Sequence, residues 1–412
     1  MTVRPTAVES KAMSLVGYHD LDRRPAFKIA AQEVGGRFYL YLSHFWHAGW
    51  SVVDVTEPES PQLLDFVATS SFDRTWTTQV QVADGLMIGS LERPYEGMEG
   101  APYDAYDEGV LLFDVATDPS HPAQVGRFRT GGTGTHRNFY AGGRYAYLTA
   151  VLDGFVGRCL VVLDVDDPAN PKEVTRWWWP GQNVAAGETP EHAPINYMHG
   201  PAYVVGDRAY VSYGRIGALI MDVSDPASPT VISRVDVGDI GGSLGCHSAI
   251  PILSRGLLVI NSEAIKEGRA EGLNYAFVVD ISDEERPRIV GSLPTPVPSE
   301  GAPYRTYQDK GGRFGPHNQA HRQGMPVYLP LERHVLMTWF NAGLRLYDIE
   351  DPFNPVEVAH HVAEDPAERL GALPRTALVT QAEDVAVDRR GYIYCTDKNW
   401  GLSVLRYDGT LS

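Results

Sequence analysis

The chain has 412 residues, 43% of them apolar and 21% charged, with 41 Gly, 29 Pro and a formal net charge of −17. That charge excludes a phosphate-binding face, since nucleic-acid binders need a basic surface, and no run of Lys or Arg offers a patch for a membrane surface. The many turn formers and aromatics favour a β protein with tight connections.

Residues 1–15, MTVRPTAVESKAMSL, hold no apolar stretch of signal-peptide length, and no later window approaches a membrane-spanning helix. Three cysteines, Cys159, Cys246 and Cys395, occur without CxxC spacing, which suggests a reducing compartment. The expected location is cytoplasmic, and no nucleic-acid or membrane partner is expected. Oligomeric state is not legible.

The first predicted element is KAMSLVGYHD (11–20), a short strand set ahead of the first repeating unit. Unit one brings the loop LSHFWHAGW (42–50) and then SVVDVTEPESP around Asp54. Unit two carries a long connection, SLERPYEGMEGAPYDAYDEG (90–109), and then LLFDVATDPSHP around Asp114. The same apolar-apolar-Asp-apolar segment, mostly ending in paired prolines, returns around Asp164, Asp222, Asp280 and Asp348, and a degenerate copy ends at Asp408. Each copy comes after a strand, a turn and a second strand, as in AYVVGDRAYVSY (202–213), and leads into a fourth strand. The prolines end pairing after the motif strand. Seven such units at spacings of four-stranded blades predict one domain over 1–412, an all-β, seven-bladed β-propeller. The last unit lacks a fourth strand, and residues 11–20 resemble the other fourth strands, so an N-terminal strand is expected to close the ring.

The segments VVLDVDDP (161–168) and LIMDVSDP (219–226) resemble the LVIVD-repeat β-propellers, a likeness that implies the fold and little about function. Residues 41–63, YLSHFWHAGWSVVDVTEPESPQL, resemble one blade of the selenium-binding-protein and methanethiol oxidase family, which implies a copper-dependent, histidine-rich propeller. The cysteine motifs of that family are not evident.

Histidines recur at one step of the inner strands. His136, His199 and His247 each lie seven residues before the turn residues Gly143, Gly206 and Ser254. In unit six an insertion obscures the register, and the Gly-x-His context of FGPHNQA (314–320) favours His317 over His321. The same count gives Lys28, Trp76 and Ala382 in the remaining units. Inner strands face one axis, so His136, His199, His247 and His317 are expected to converge as metal ligands. His321 and Glu383 would stand beside them, Glu383 accepting the outer N–H of a ligand. The alternative for any one of them is a hydrogen-bonded polar residue at a strand start.

Loops on the same face form the expected walls. His44 and His47 are candidates for acid–base catalysis, against a packing role, and Trp76, Tyr95, Tyr103 and Tyr106 for the substrate pocket, beneath a lid over 90–109. Trp177–Trp179 read as packing between blades. In architecture the site is similar to that of the carotenoid cleavage oxygenases, with a four-histidine iron on a seven-bladed propeller; none of their sequence motifs is present. The leading expectation is therefore an oxygenase with one non-haem Fe(II), acting with O₂ on a small apolar or phenolic alkene. Copper in a methanethiol-oxidase-like enzyme, zinc or manganese in a hydrolase or lyase, and a non-catalytic interaction platform are the alternatives.

Overall fold

A computed structural model describes residues 4–69, 75–95, 106–321, 325–372 and 374–412. Its β-structure forms seven four-stranded antiparallel sheets, each built from strands consecutive in the chain except where the N-terminal segment joins. The sheets are the blades of a seven-bladed β-propeller. No helix among the described residues is long and apolar enough to cross a membrane.

The third blade shows the local logic. Tyr145–Val151 pairs with Arg158–Asp164, which pairs in turn with Lys172–Trp177. The middle strand is buried on both faces, because neighbouring blades cover it, whereas the outer strand is half exposed. Apolar runs without alternation are the expected signature of such doubly covered strands.

The repeated aspartate is a turn device. Oδ1 of Asp54, Asp114, Asp164, Asp222, Asp280 and Asp348 accepts the N–H two residues on, at 2.8–3.0 Å. Asp118, Asp167, Asp225, Asp283 and Asp351 do the same in the adjoining turn at 2.8–3.2 Å. These Asx turns reverse the chain between third and fourth strands.

The N-terminal segment bridges two blades. Ala7–Lys11 pairs with Val356–Ala363 on the outer edge of the sixth sheet. Met13–His19 pairs with Gly401–Tyr407 and is the outer strand of the seventh. The sixth blade also carries an irregular inner segment, in which His317 and Ala320 donate to the carbonyls of Thr338 and Leu336.

A circle of side-chain hydrogen bonds joins each blade to the next near the axis. Ser43 donates to the Thr78 carbonyl (3.3 Å), Thr78 to His136 (2.8 Å), Thr149 to Gly200 (3.2 Å) and Ser212 to His247 (2.7 Å). Asn261 donates to His317 (2.9 Å), Thr338 to Glu383 (3.1 Å), and Thr396 to Phe27, which closes the circle. A Cβ at Gly200 would collide with both the His247 carbonyl and the Ser212 hydroxyl, so this contact requires glycine.

Ser212→Ala leaves the buried His247 carbonyl without this donor and is expected to cost about 1–3 kcal/mol. Ser224→Ala, which removes an exposed bond to Asp222, is expected to stay within about 0.5 kcal/mol. Urea midpoints of the two variants check the contrast.

Candidate functional site

Inner-strand register decides which side chains meet at the upper end of the channel. The N–H groups of Phe27, His136, His199 and His317 donate to the carbonyls of Ser43, Thr149, Ser212 and Thr338, at 2.8, 2.8, 3.2 and 2.9 Å. These four residues therefore occupy one step. Lys28, Gln79, Asn318 and Asp384 share the next step inward, each donating its N–H to a second-strand hydroxyl. The positions equivalent to the histidines are thus Phe27, Thr78 and Glu383, not Lys28, Trp76 and Ala382 as counted from the turns. Pairing irregularities near the strand starts, such as the one between Ala382 and Asp384, defeat that count.

The four histidines form an arc. Ring centroids of His136 and His199 are 4.7 Å apart, those of His199 and His247 5.3 Å, and those of His247 and His317 4.9 Å. Into the arc projects Glu263, the last residue of the strand Leu257–Glu263. Its carboxylate lies 3.4 Å from Nε2 of His199, 3.5 Å from Nε2 of His247 and 3.7 Å from Nε2 of His317. Candidate ligand atoms of His199, His247 and Glu263 all fall within 4.8 Å of one another. Among the described residues this is the one group of His, Cys, Asp and Glu so close, and His136 and His317 stand at its two ends.

Carboxylates and cations surround the arc in pairs. Glu92 accepts from Nδ1 of His136 at 2.6 Å and from Arg158 at 2.9 Å, which leaves Nε2 of His136 as the lone-pair nitrogen. Glu383 lies 3.2 Å from Nδ1 of His317 and 2.6 Å from Lys398. Glu263 is paired with Arg313 at 3.0 Å. One step inward, Lys28 and Asp384 form an ion pair at 2.6 Å. Two arginines also donate to imidazoles, Arg158 to Nδ1 of His199 and Arg137 to Nε2 of His247, both at 3.1 Å.

Burial governs protonation here. It holds His199, His247 and His317 well below the usual imidazole range, and the nearby cations push the same way. All three rings are neutral at ordinary pH. Burial also raises the Glu263 carboxyl above its usual range, against the pull of Arg313 and Arg137.

Above the arc lies a cavity of about 210 Å³, whose apolar wall includes Phe27, Phe45, Trp46, Trp76 and Tyr95. Phe27 meets Phe45 edge-on at 4.8 Å, and Trp76 lies 4.5 Å from Phe45 and 5.4 Å from Tyr95. Tyr95 also donates its hydroxyl to Glu92 at 3.0 Å.

Several residues singled out from the sequence stand elsewhere. His44 does not border the cavity; it is fully buried, its ring nitrogens bonded to the Pro25 carbonyl (2.9 Å) and to Ser51 Oγ (2.7 Å). Burial carries its pKa down to about 3. This is a packing histidine rather than an acid–base group. His47 is also off the cavity, its ring against Gly371, where a Cβ would sit 2.7 Å from it. His321 belongs to the opposite end of the channel, 5.1 Å from the Tyr203 ring, and not beside the other histidines. Tyr106 bonds the Gly132 carbonyl at 2.9 Å and does not line the cavity. Tyr103 and residues 96–105 of the expected lid lie outside the described residues.

Glu92, Glu263, Arg137 and Arg158 are the residues that sequence reasoning missed. Glu92 and Glu263 lie at second-strand ends, in SLE and NSE, and second strands finish on the face where inner strands begin. That topological argument was available from the sequence. Nothing comparable marks the two arginines.

A model of the LVIVD repeat matches residues 134–177 and 203–237, within blades three and four. No curated protein matches the sequence. Among solved structures, the RRP9 WD40 repeats match at 9% identity and a TM-score of 0.57, covering 98% of this chain and 99% of that one. U3-55K is similar at 9% identity and TM-score 0.57, with 98% and 100% covered. The β-propeller domain of Cps50 (Swd1) from Myceliophteria thermophila shares 10% identity at TM-score 0.55, with 98% and 99% covered. At such identities the likeness concerns the fold alone.

The neutral imidazoles imply a definite pH response. Their folded pKa values lie below the unfolded value near 6.5, so the unfolded chain binds more protons below that pH. Their contribution to stability is complete above about pH 6.5 and is lost as pH falls, by up to about 1.4 kcal/mol per pH unit for each ring. Glu263, shifted upward, opposes this as one group against three. Denaturant unfolding between pH 7 and 5 should show this fall, and His199→Gln should flatten it.

Proposed function

We propose that this chain is a metal-dependent oxidoreductase that acts on a small aromatic or phenolic substrate at the upper end of the channel. The observation that carries the reading is the buried set of His199, His247 and Glu263, whose ligand atoms lie within 4.8 Å of one another beneath an aromatic-walled cavity. Two imidazoles and one carboxylate are the donor set of non-haem Fe(II) oxygenases, so Fe(II) is the preferred ion. It replaces the all-imidazole set expected from sequence, with His317 and His136 flanking it.

The residues fit such an ion on one condition. The proton of His199 sits on Nε2 while Arg158 donates to Nδ1, and Nε2 of His247 is taken by Arg137. Uptake therefore entails release of His199 Nδ1 by Arg158, so that the ring's proton can shift from Nε2 to Nδ1, and release of His247 by Arg137. A bound Fe(II) supplies dioxygen activation beside the organic substrate.

The chain's own part is to orient and to exclude water. Glu92 fixes the His136 tautomer through Nδ1, and Phe27, Trp76 and Tyr95 hold an aromatic ring by edge and face contacts. The cavity is smaller than the roughly 300–1,000 Å³ of drug-sized ligand sites, which favours a single substituted ring. One observation favours a non-catalytic channel instead: Arg137 and Arg158 satisfy the imidazoles without any ion.

Elemental analysis of untagged protein separates the two. The expected result is about one equivalent of iron, reduced to background in the His199→Ala, His247→Ala double variant. Glu263→Gln, which removes the carboxylate of the donor set, should likewise bring the iron content to background. A spectrum showing copper or zinc instead would keep the site and change the chemistry.

A further inference from the structure

Around the channel every carboxylate has its own cation. Glu92 is paired with Arg158, Glu263 with Arg313, Glu383 with Lys398 and Asp384 with Lys28. Arg137 is left over. Among the described residues no carboxylate oxygen comes within ion-pair distance of its guanidinium, whose partners are the neutral Nε2 of His247 and the Asn318 side-chain oxygen. Its Nε has no hydrogen-bond partner at all, although the residue is only 2% exposed.

Arg137 also stands where a ligand would reach it. It borders the aromatic cavity and the narrow channel that continues towards Lys28 and His321, and so forms the floor between them. Asp384, Glu263 and Glu383 act on it only from beyond contact, each already paired with another cation. A buried cation with no counter-ion in contact is costly, and a divalent metal alongside would add to the excess. Guanidinium offers two parallel N–H groups that match the two oxygens of a carboxylate.

We propose that Arg137 is the anchor for the carboxylate of a small aromatic acid, with its ring among Phe27, Phe45 and Trp76 and its acid group turned to the cavity floor. This names the substrate class of the enzyme proposed above and rests on that reading for the chemistry, though not for the binding. The anion supplies a counter-charge in contact with the guanidinium and takes up donors that Arg137 now spends on His247, so acid binding and release of that imidazole are linked.

Benzoate and its neutral isostere benzamide test the idea by calorimetry, on the protein as purified and again after metal removal by chelation. Benzoate should bind at least tenfold more tightly than benzamide in both preparations. Arg137→Met should bring the two ligands within about twofold, and Arg137→Lys should restore part of the preference. If Arg137→Met fails to fold, Asn318→Leu, which removes a partner holding the guanidinium, should lower the preference severalfold. Equal binding of the two ligands, no binding of either at millimolar concentration, or a preference that survives Arg137→Met overturns the proposal. Benzoate selectivity in a protein that holds no metal would refute the metal centre and leave the anion site standing. Stoichiometric iron without selectivity would do the reverse.

Discussion

Each blade passes one hydrogen bond to its neighbour near the axis, and the whole site hangs on that circle. The donors are short side chains, on second strands except for Thr78 on an inner one, and the acceptors are carbonyls of the inner strands. In three cases the carbonyl belongs to a channel histidine. Sheets packed only by apolar faces could slide; a directional bond fixes the height of each inner strand relative to the next. Imidazoles from four separate sheets thereby come to one level.

A second constraint is the balance of buried charge. Four carboxylates and five cations share the region of the channel, and nearly all are shielded from solvent. Pairing makes this tolerable, because a buried charge left alone is heavily penalised. The same burial keeps the imidazoles neutral, which is what a ligand requires. Exclusion of water from the site and the neutral state of its imidazoles are therefore one property.

Much of the fold was legible because its marker has a simple mechanism. An aspartate with proline close behind it recurs since an Asx turn follows the third strand, and six such copies with the degenerate one ending at Asp408 count the blades. The histidines were legible as a set because His136, His199 and His247 keep one spacing from their turns. The equivalents in other blades were not, since pairing shifts register beside Ala382 and since Phe27 and Lys28 both face Ser43, which no spacing reveals. Glu263 begins what reads as a loop, EAIKEGRAEGLNY, and only the topology of a blade, in which second strands end beside the starts of inner ones, points to it. His44 misled for a different reason. An aromatic-rich loop suggests a pocket, yet Ser51 and Pro25 bury the ring behind the third strand.

The histidines occupy four consecutive blades, from the third to the sixth, while Phe27 and the Trp76 side chain come from the first and second. The mouth is consequently two-sided, polar along one flank and oily along the other. An apolar guest entering from above is favoured in the heading that places its hydrocarbon against the aromatic flank of Phe27, Phe45 and Trp76. Sevenfold repetition of the backbone thus ends in a chamber whose lining is not symmetric.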